Sequence, residues 1–271
     1  MVIKYRGLVI SLDFTLKKYS ELCSAINDSN FPVIRMVDYF KNTDKKNLNT
    51  FIILRHDVDK LPENALAMAQ LEDSLNIRST YYFRITPESF DPQIIGTISG
   101  LGHEIGYHYE DLSRAKGDLE KAKELFEEAL TSFRNITEIS TICRHGSPTS
   151  KWNNSDLWKK YEFKDYGIIG EPYLSINYSD IVYFTDTGRT WCDKGSVRDH
   201  VKDSVSCKEM VSTTDELIVL IKSKKYKKLI ILAHPQRWAL RSSKWLKELV
   251  AQNIKNIGKD LILRKRVKSG E

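Results

Sequence analysis

The sequence predicts an α/β fold, a distorted (β/α) barrel of about seven parallel strands, and three observations carry that expectation. From Phe51 onward, short apolar runs rich in β-branched residues alternate with longer stretches of helical period. None of those runs leads into a glycine-rich dinucleotide turn, which disfavours a Rossmann sheet. Five of the six histidines lie at or just beyond predicted strands, where a parallel barrel gathers its strand ends on one face.

Taken in order, Phe51–Leu54 reads as a buried strand, and Pro62 opens a helix carrying Ala65, Met68, Ala69, Leu71 and Leu75 at three-to-four spacing. Thr80–Phe83 is the next strand and Pro87–Ser99 the next helix. His103–Tyr107 reads as a third strand, Leu119–Phe133 as a long amphipathic helix, and Ile139–Cys143 as a fourth strand. Further strands are predicted at Gly167–Ile169 and Ile181–Phe184. A helix at Thr213–Ser223, a strand at Leu229–Ala233 and a helix at Ser243–Asn256 follow. Residues 1–50 precede this rhythm, with helical patterns around Leu16, Tyr19, Leu22 and Ile26 and again over Val37–Phe40. They read as a helical extension packed on the barrel, and no linker or repeat divides 1–271 into more than one domain.

Composition narrows the function classes. At 41% hydrophobic and 29% charged residues, the chain suits one soluble domain with a sizeable core. No apolar run approaches the roughly 20 residues of a membrane span, and Met1–Arg6 does not begin a secretion leader, so a cytoplasmic location is expected. Cys23, Cys143, Cys192 and Cys207 lie far apart, which indicates reduced thiols and no thiolate zinc site. Much of the net charge of +6 sits in Lys222–Lys228 and Arg264–Lys268. Both read first as solvated surface, second as contacts for a nucleotide-sugar or lipid phosphate, and only third as contacts for nucleic acid.

Four polar segments converge if the barrel forms: Arg55-His56-Asp57-Val58-Asp59, Gly102–His108, Arg144–Pro148 and Ala233–Trp238. On extended chain Asp57 and Asp59 face one side while His56 and Val58 face the other. Paired carboxylates can divide labour between a cation and a general base, although the same aspartates could cap the helix near Pro62. His108, trailed by Glu110 and Asp111, suits zinc or another first-row divalent ion, whereas His103 at the strand start reads as structural. Arg144 can hold a carboxylate or an anion. His145 and Ser147 are equally suited to function and to a tight turn. His234, just past an apolar strand, can act as a general acid toward a leaving amine.

Together these segments resemble the NodB-homology polysaccharide deacetylases, carbohydrate esterase family four. The resemblance covers roughly 51–238, and its most specific phrase is Gly102-His103-Glu104-Ile105-Gly106-Tyr107-His108. It implies Asp57 as catalytic base, Asp59 and His108 as metal ligands, Arg144 as the arginine of a further motif and His234 as general acid. A second metal histidine would fall at Leu112. The missing ligand is then Glu110 or Asp111, or a histidine from another strand, His56 or His145, unless metal binds weakly or not at all. The phrases H-G-S-P, Glu171-Pro172-Tyr173, Thr185–Trp191 and H-P-Q-R-W are similar to a divergent WbmS-type branch associated with bacterial lipopolysaccharide O-antigen loci. That similarity implies surface-polysaccharide biosynthesis.

The expectation is therefore a divalent-metal hydrolase, with zinc as the metal, Asp59, His108 and Glu110 as ligands, and Asp57, His234 and Arg144 as catalytic residues. His145, Asp186, Arg189, Trp191, Arg237 and Trp238 are expected to contact substrate or to hold the catalytic groups. The substrate would be an N-acylated sugar, nucleotide-sugar or lipid-linked glycan, with no nucleic acid partner. Two rivals are an amidase of the same fold acting on another carbon–nitrogen bond, and a carbohydrate-binding protein that has lost its metal.

Overall fold

The computed structural model describes residues 3–5, 8–10, 13–42, 48–147, 149–191 and 211–240. Six parallel strands form its central sheet: β3 (Phe51–Val58), β4 (Thr80–Phe83), β5 (Glu104–Tyr109), β6 (Ile142–Arg144), β7 (Val182–Thr185) and β8 (Lys228–Ala233). A separate antiparallel pair, β1 (Ile3–Tyr5) and β2 (Leu8–Ile10), precedes them. The sheet order is β6-β5-β4-β3-β8-β7. Followed from β7, that order runs 7, 8, 3, 4, 5, 6, which is the chain order of a barrel opened once between β6 and β7. A doubly wound sheet would instead reverse direction at a switch point. The sheet curls as a half-barrel.

Helix ends are fixed locally. Thr15 caps α1 (Leu16–Asp28), Asp91 caps α4 (Pro92–Gly100) and, after the short α5 (Asp111–Arg114), Asp118 caps α6 (Leu119–Arg134), each by accepting first-turn backbone N–H bonds. Thr213 and Glu216 form a capping box on α8 (Thr214–Ser223). Pro62 stands at the first position of α3 (Pro62–Ser74), where its missing N–H costs nothing. The short α2 (Met36–Lys41) closes the barrel floor. Its Met36 N–H donates to Thr80 Oγ1 and its Val37 N–H to Glu104 Oε2, both at 2.8 Å.

β3 is buried along its whole length, as a parallel strand covered on both faces must be. Its alternate residues separate two environments. Arg55 and Asp57 face the barrel interior, beside Tyr82 of β4 and Cys143 of β6. Ile52, Leu54, His56 and Val58 face the helices outside. On β5, Gly106 is required by packing, because a Cβ there would lie 2.3 Å from the Tyr82 ring.

His56 belongs to a buried network centred on Glu72 of α3. Glu72 accepts from Tyr19 of α1, from Ser79 at 2.5 Å and from Tyr81 at 2.9 Å, and lies 2.7 Å from His56 Nε2. His103 Nδ1 accepts the Ser79 backbone N–H at 3.1 Å, and its Nε2 lies 3.1 Å from the Ala69 carbonyl oxygen. One carboxylate thus ties α1, α3, β3 and β4 together.

Within the described residues most predicted elements hold with shifted ends, and two differences bear on the site. β5 runs on through Tyr109, so His108 lies within the strand. No strand forms at Gly167–Ile169: a 3₁₀ turn, Phe163–Tyr166, ends on Gly167 at φ +72°, and Pro172 then starts the short α7 (Pro172–Ser175). Only Gly170 pairs with the barrel, through Thr141. Six strands therefore make the described sheet where about seven were expected. The predicted helix Ser243–Asn256 and the basic run Arg264–Lys268 lie outside the described residues. Lys222–Lys228 does join α8 to β8, at the end of β8 away from the strand carboxyl ends.

Burial raises the Glu72 carboxyl, but His56, His103 and Ser79 outweigh it and bring it down to about 2. A depressed folded value stabilises the protein above the ordinary carboxylate range and loses that contribution as pH falls through about 2. Glu72→Gln is expected to cost about 3 kcal/mol in urea unfolding at pH 7, and the difference from wild type should narrow steadily below pH ~4.

Candidate metal and catalytic site

Every strand of the sheet contributes a polar side chain at or just beyond its carboxyl end, β4 through Arg84. Arg55 and Asp57 on β3, and Asp59 one residue past it, share the inward face of an extended segment. The Arg55 guanidinium grips Asp57 with two bonds, Nε to Oδ1 at 2.9 Å and Nη2 to Oδ2 at 2.6 Å. Burial pushes the Asp57 carboxyl up, yet Arg55, His108 and His234 outweigh it and hold it well below the usual carboxylate range.

Asp59, His108 and His145 bring three ligand atoms together, all within 4.8 Å of one another. His108 Nε2 lies 3.6 Å and His145 Nε2 3.5 Å from Asp59 Oδ1. That oxygen is buried and has no hydrogen-bond partner, while Oδ2 accepts from Gln236 at 2.7 Å. Two ligands of one tetrahedral zinc ion, each about 2.0–2.1 Å from it, lie roughly 3.4 Å apart, so the spacing fits such an ion.

The far side of each ring is held. His108 Nδ1 lies 3.0 Å from the Cys143 carbonyl oxygen, and His145 Nδ1 lies 2.9 Å from Glu110 Oε2. With Nδ1–H donating to those oxygens, each Nε2 presents its lone pair to the shared centre. Burial lowers the His108 imidazole to about 4, so it is neutral near pH 7. Burial also opposes the charged form of His145, but Glu110 and Asp59 prevail and raise it. A second grouping, Asp57, His108 and Cys143, is less suited to a cation. Arg55 already occupies Asp57 and lies 2.7 Å from Cys143 Sγ, and burial pushes that thiol well up.

At the end of β8, Asp186 organises His234. Its Oδ1 lies 2.6 Å from His234 Nδ1, and its Oδ2 accepts the His234 backbone N–H at 2.8 Å. Arg237 donates to Oδ1 at 2.8 Å and Trp238 Nε1 to Oδ2 at 3.0 Å. The carboxyl is held below its ordinary range because Arg237 and His234 overcome its burial.

The structure therefore gathers Asp57, Asp59, His108, His145, Asp186, His234 and Arg237 at one rim. Other expected residues stand elsewhere. Glu110, expected as a metal ligand, has Oε1 taken by Arg84 at 2.5 and 2.9 Å and Oε2 beside His145 Nδ1, so it orients His145. Arg144, expected as a catalytic residue, is engaged at the end of β6, while Arg55 holds Asp57. Arg144 donates to Asn153 at 3.1 Å and lies on the Tyr173 ring. Trp191 and Trp238, expected to offer faces to a sugar, are fully buried around Phe14, since both rings complete the core between α1 and the barrel. The Arg189 guanidinium lies over the Phe14 ring, 5.4 Å from its centroid. His56 is excluded as a ligand because it faces the outside of β3, in the Glu72 network.

Sequence reasoning missed Arg55, Arg84 and Gln236 in these roles. Arg55 left a signal: a charged residue inside an apolar strand, in step with Asp57 and Asp59. Nothing local marks Arg84 or Gln236.

No family model and no curated protein matches this sequence. Among solved structures, the chain is similar to BA3943, a CE4 family pseudoenzyme from Bacillus anthracis, at 12% identity and TM-score 0.43. That match covers 78% of this chain and 62% of that one, so the chain spans less than two thirds of that protein's length. It is also similar to PdaA of Bacillus subtilis, a family 4 carbohydrate esterase, at 15% identity, 90% coverage of both chains and TM-score 0.40. The Xyl-CE4 domain of a multidomain xylanase from the hindgut metagenome of Trinervitermes trinervoides matches at 11% identity, 78% and 84% coverage and TM-score 0.39. These are remote likenesses, and the chemistry of the site rests on its own geometry.

Elemental analysis of purified variants checks the ligand set. Asp59→Asn, His108→Ala and His145→Ala should each lose bound divalent metal. Glu110→Gln should keep metal with affinity reduced about 10- to 100-fold, the usual cost of losing an outer partner. Metal retained in His145→Ala but lost in Glu110→Gln would reverse the two roles.

Proposed function

We propose that this chain is a metal-dependent hydrolase that removes an acyl group from an N-acylated sugar. The observation that carries the reading is Asp59 Oδ1, buried and without a partner, facing two imidazole Nε2 atoms whose rings are fixed from behind. Two histidines and a carboxylate suit zinc or another first-row divalent ion, which when bound supplies a Lewis acid for the acyl carbonyl.

The remaining chemistry belongs to the chain. Asp57 Oδ2 lies 3.6 Å from His108 Nε2, which puts a carboxylate beside the ligand cluster. Arg55 takes one lone pair on each Asp57 oxygen and leaves the other for a water molecule, whose proton Asp57 accepts as it attacks the carbonyl carbon. His234, as the imidazolium, gives a proton from Nε2 to the departing amine, while Asp186, 2.6 Å from Nδ1, orients the ring. The two groups thus act as a base and an acid at one rim.

The H-G-S-P, E-P-Y and H-P-Q-R-W phrases support a finer reading: a WbmS-type enzyme of bacterial surface-polysaccharide biosynthesis in the cytoplasm, acting on a nucleotide-sugar or lipid-linked glycan. The test is release of acetate and free amine from a panel of N-acetylated sugars and sugar nucleotides by zinc-loaded protein. Asp57→Asn and His234→Ala should retain metal and lose turnover by about 100- to 10,000-fold. A metal-loaded wild type that releases nothing, or an Asp57→Asn variant as fast as wild type, would sink the hydrolase reading.

A further inference from the structure

A cleft of about 450 Å³ opens beside the seam between β6 and β7. That volume lies in the range of roughly 300–1,000 Å³ that small-molecule sites occupy. Its lining combines the rings of Tyr173 and Trp158, the cations of Arg144 and Lys159, and the polar side chains of Asn153 and Ser155. Asp156 supplies the only carboxylate of this lining and is paired with Lys159 at 2.8 Å. The lining therefore carries two cations against one anion.

Arg144 is preorganised. Its guanidinium lies 4.4 Å from the Tyr173 ring centroid, and Nη1 donates to Asn153 Oδ1 at 3.1 Å and to Ser155 Oγ at 3.5 Å. A guanidinium fixed in this way recognises planar or tetrahedral oxyanions at little entropic cost. The neighbouring rings, with Leu174 49% exposed, offer the apolar faces that suit a sugar.

The cleft also adjoins the catalytic centre. Arg144 is followed in the chain by His145, and Tyr173 is shared with the Asp57 clamp. The Arg55 guanidinium lies 4.9 Å from the Tyr173 ring centroid, and Arg55 Nη2 donates to its hydroxyl at 3.3 Å.

We infer that this cleft is a substrate subsite that binds an anionic group, a carboxylate or a phosphate, on the glycan whose N-acyl sugar is presented to Asp57 and His234. The inference rests on the hydrolase reading and adds the place where the charge of such a glycan is bound. Arg144 acts here as a binding residue with no part in proton transfer.

Calorimetric titration of the zinc-loaded full chain tests it with four probes: N-acetylglucosamine, its 1-phosphate, UDP-N-acetylglucosamine, and an N-acetylglucosamine–glucuronate disaccharide. At least one anionic probe should bind roughly tenfold more tightly than the neutral sugar, with the advantage shrinking in high salt. Preference for the phosphates or for the uronate identifies which anion the cleft takes. Arg144→Gln should abolish the preference while metal content stays unchanged. Lys159→Gln, at an exposed position, should reduce it. Equal affinity for charged and neutral probes, or an undiminished preference in Arg144→Gln, overturns the subsite. Metal content read on the same samples tests the hydrolase reading separately. A metal-free chain that still prefers anions through Arg144 would sink that reading and leave the anion site standing.

Discussion

Inside the barrel, Arg55 and Asp57 form an ion pair that is shut off from water, and neither charge is tolerable there without the other. Moving a single ion from water into a protein interior costs several kcal/mol even after relaxation, so the two-bond geometry is what permits the pair. Its surroundings follow from that need. Tyr82 and Tyr173 present rings to the guanidinium, and Cys143 lies in contact with Nη2. The same guanidinium keeps Asp57 ionised beside the ligand cluster, so the element that makes the interior acceptable also sets the charge of the site.

β3 separates two polar systems by one step of its pleat. His56 faces outward into the Glu72 network, which joins two helices to two strands. Asp57 faces inward, toward His108 and Arg55. Both systems are buried and both centre on a carboxylate, but their neighbours differ in kind. Glu72 accepts four hydrogen bonds and is satisfied, as a structural group should be. Asp59 keeps one buried oxygen without a partner, and an unmet acceptor beside two oriented imidazoles is the signature of a ligand site.

Position in the barrel explains why the rim gathers candidate ligands while the floor does not. At the floor, Glu104 is bound by Thr80, Thr141 and the first turn of α2. At the rim, the connections after β6, β7 and β8 bring in His145, Asp186 and His234 from segments far apart in sequence. The seam between β6 and β7 interrupts the hydrogen-bonded wall, and Tyr173 fills it, with its hydroxyl 3.5 Å from that of Tyr183. A gap filled by side chains can carry a cleft, which a continuous ladder of strands would not.

Local pattern alone determined the strand–helix rhythm, the helix start at Pro62, and the sidedness of Asp57 and Asp59. These depend on periods of two and 3.6 and on capping chemistry, all set within a few residues. His234 was legible for the same reason, since it closes an apolar run, and His108 through the Gly102–His108 phrase. The partners of these residues were not legible. His145 stands as the third ligand candidate in place of Glu110 because Arg84, from the neighbouring strand end, draws that carboxylate to the back of the imidazole. Arg55 rather than Arg144 grips Asp57 because β6 turns Arg144 outward while β3 turns Arg55 inward. Trp191 and Trp238 are core because α1 brings Phe14 and Tyr19 over them. The sequence by itself specified which chemical groups reach the rim, through local periodicity. Only tertiary packing decided which of them meet, because contacts between strands depend on where each connection returns the chain.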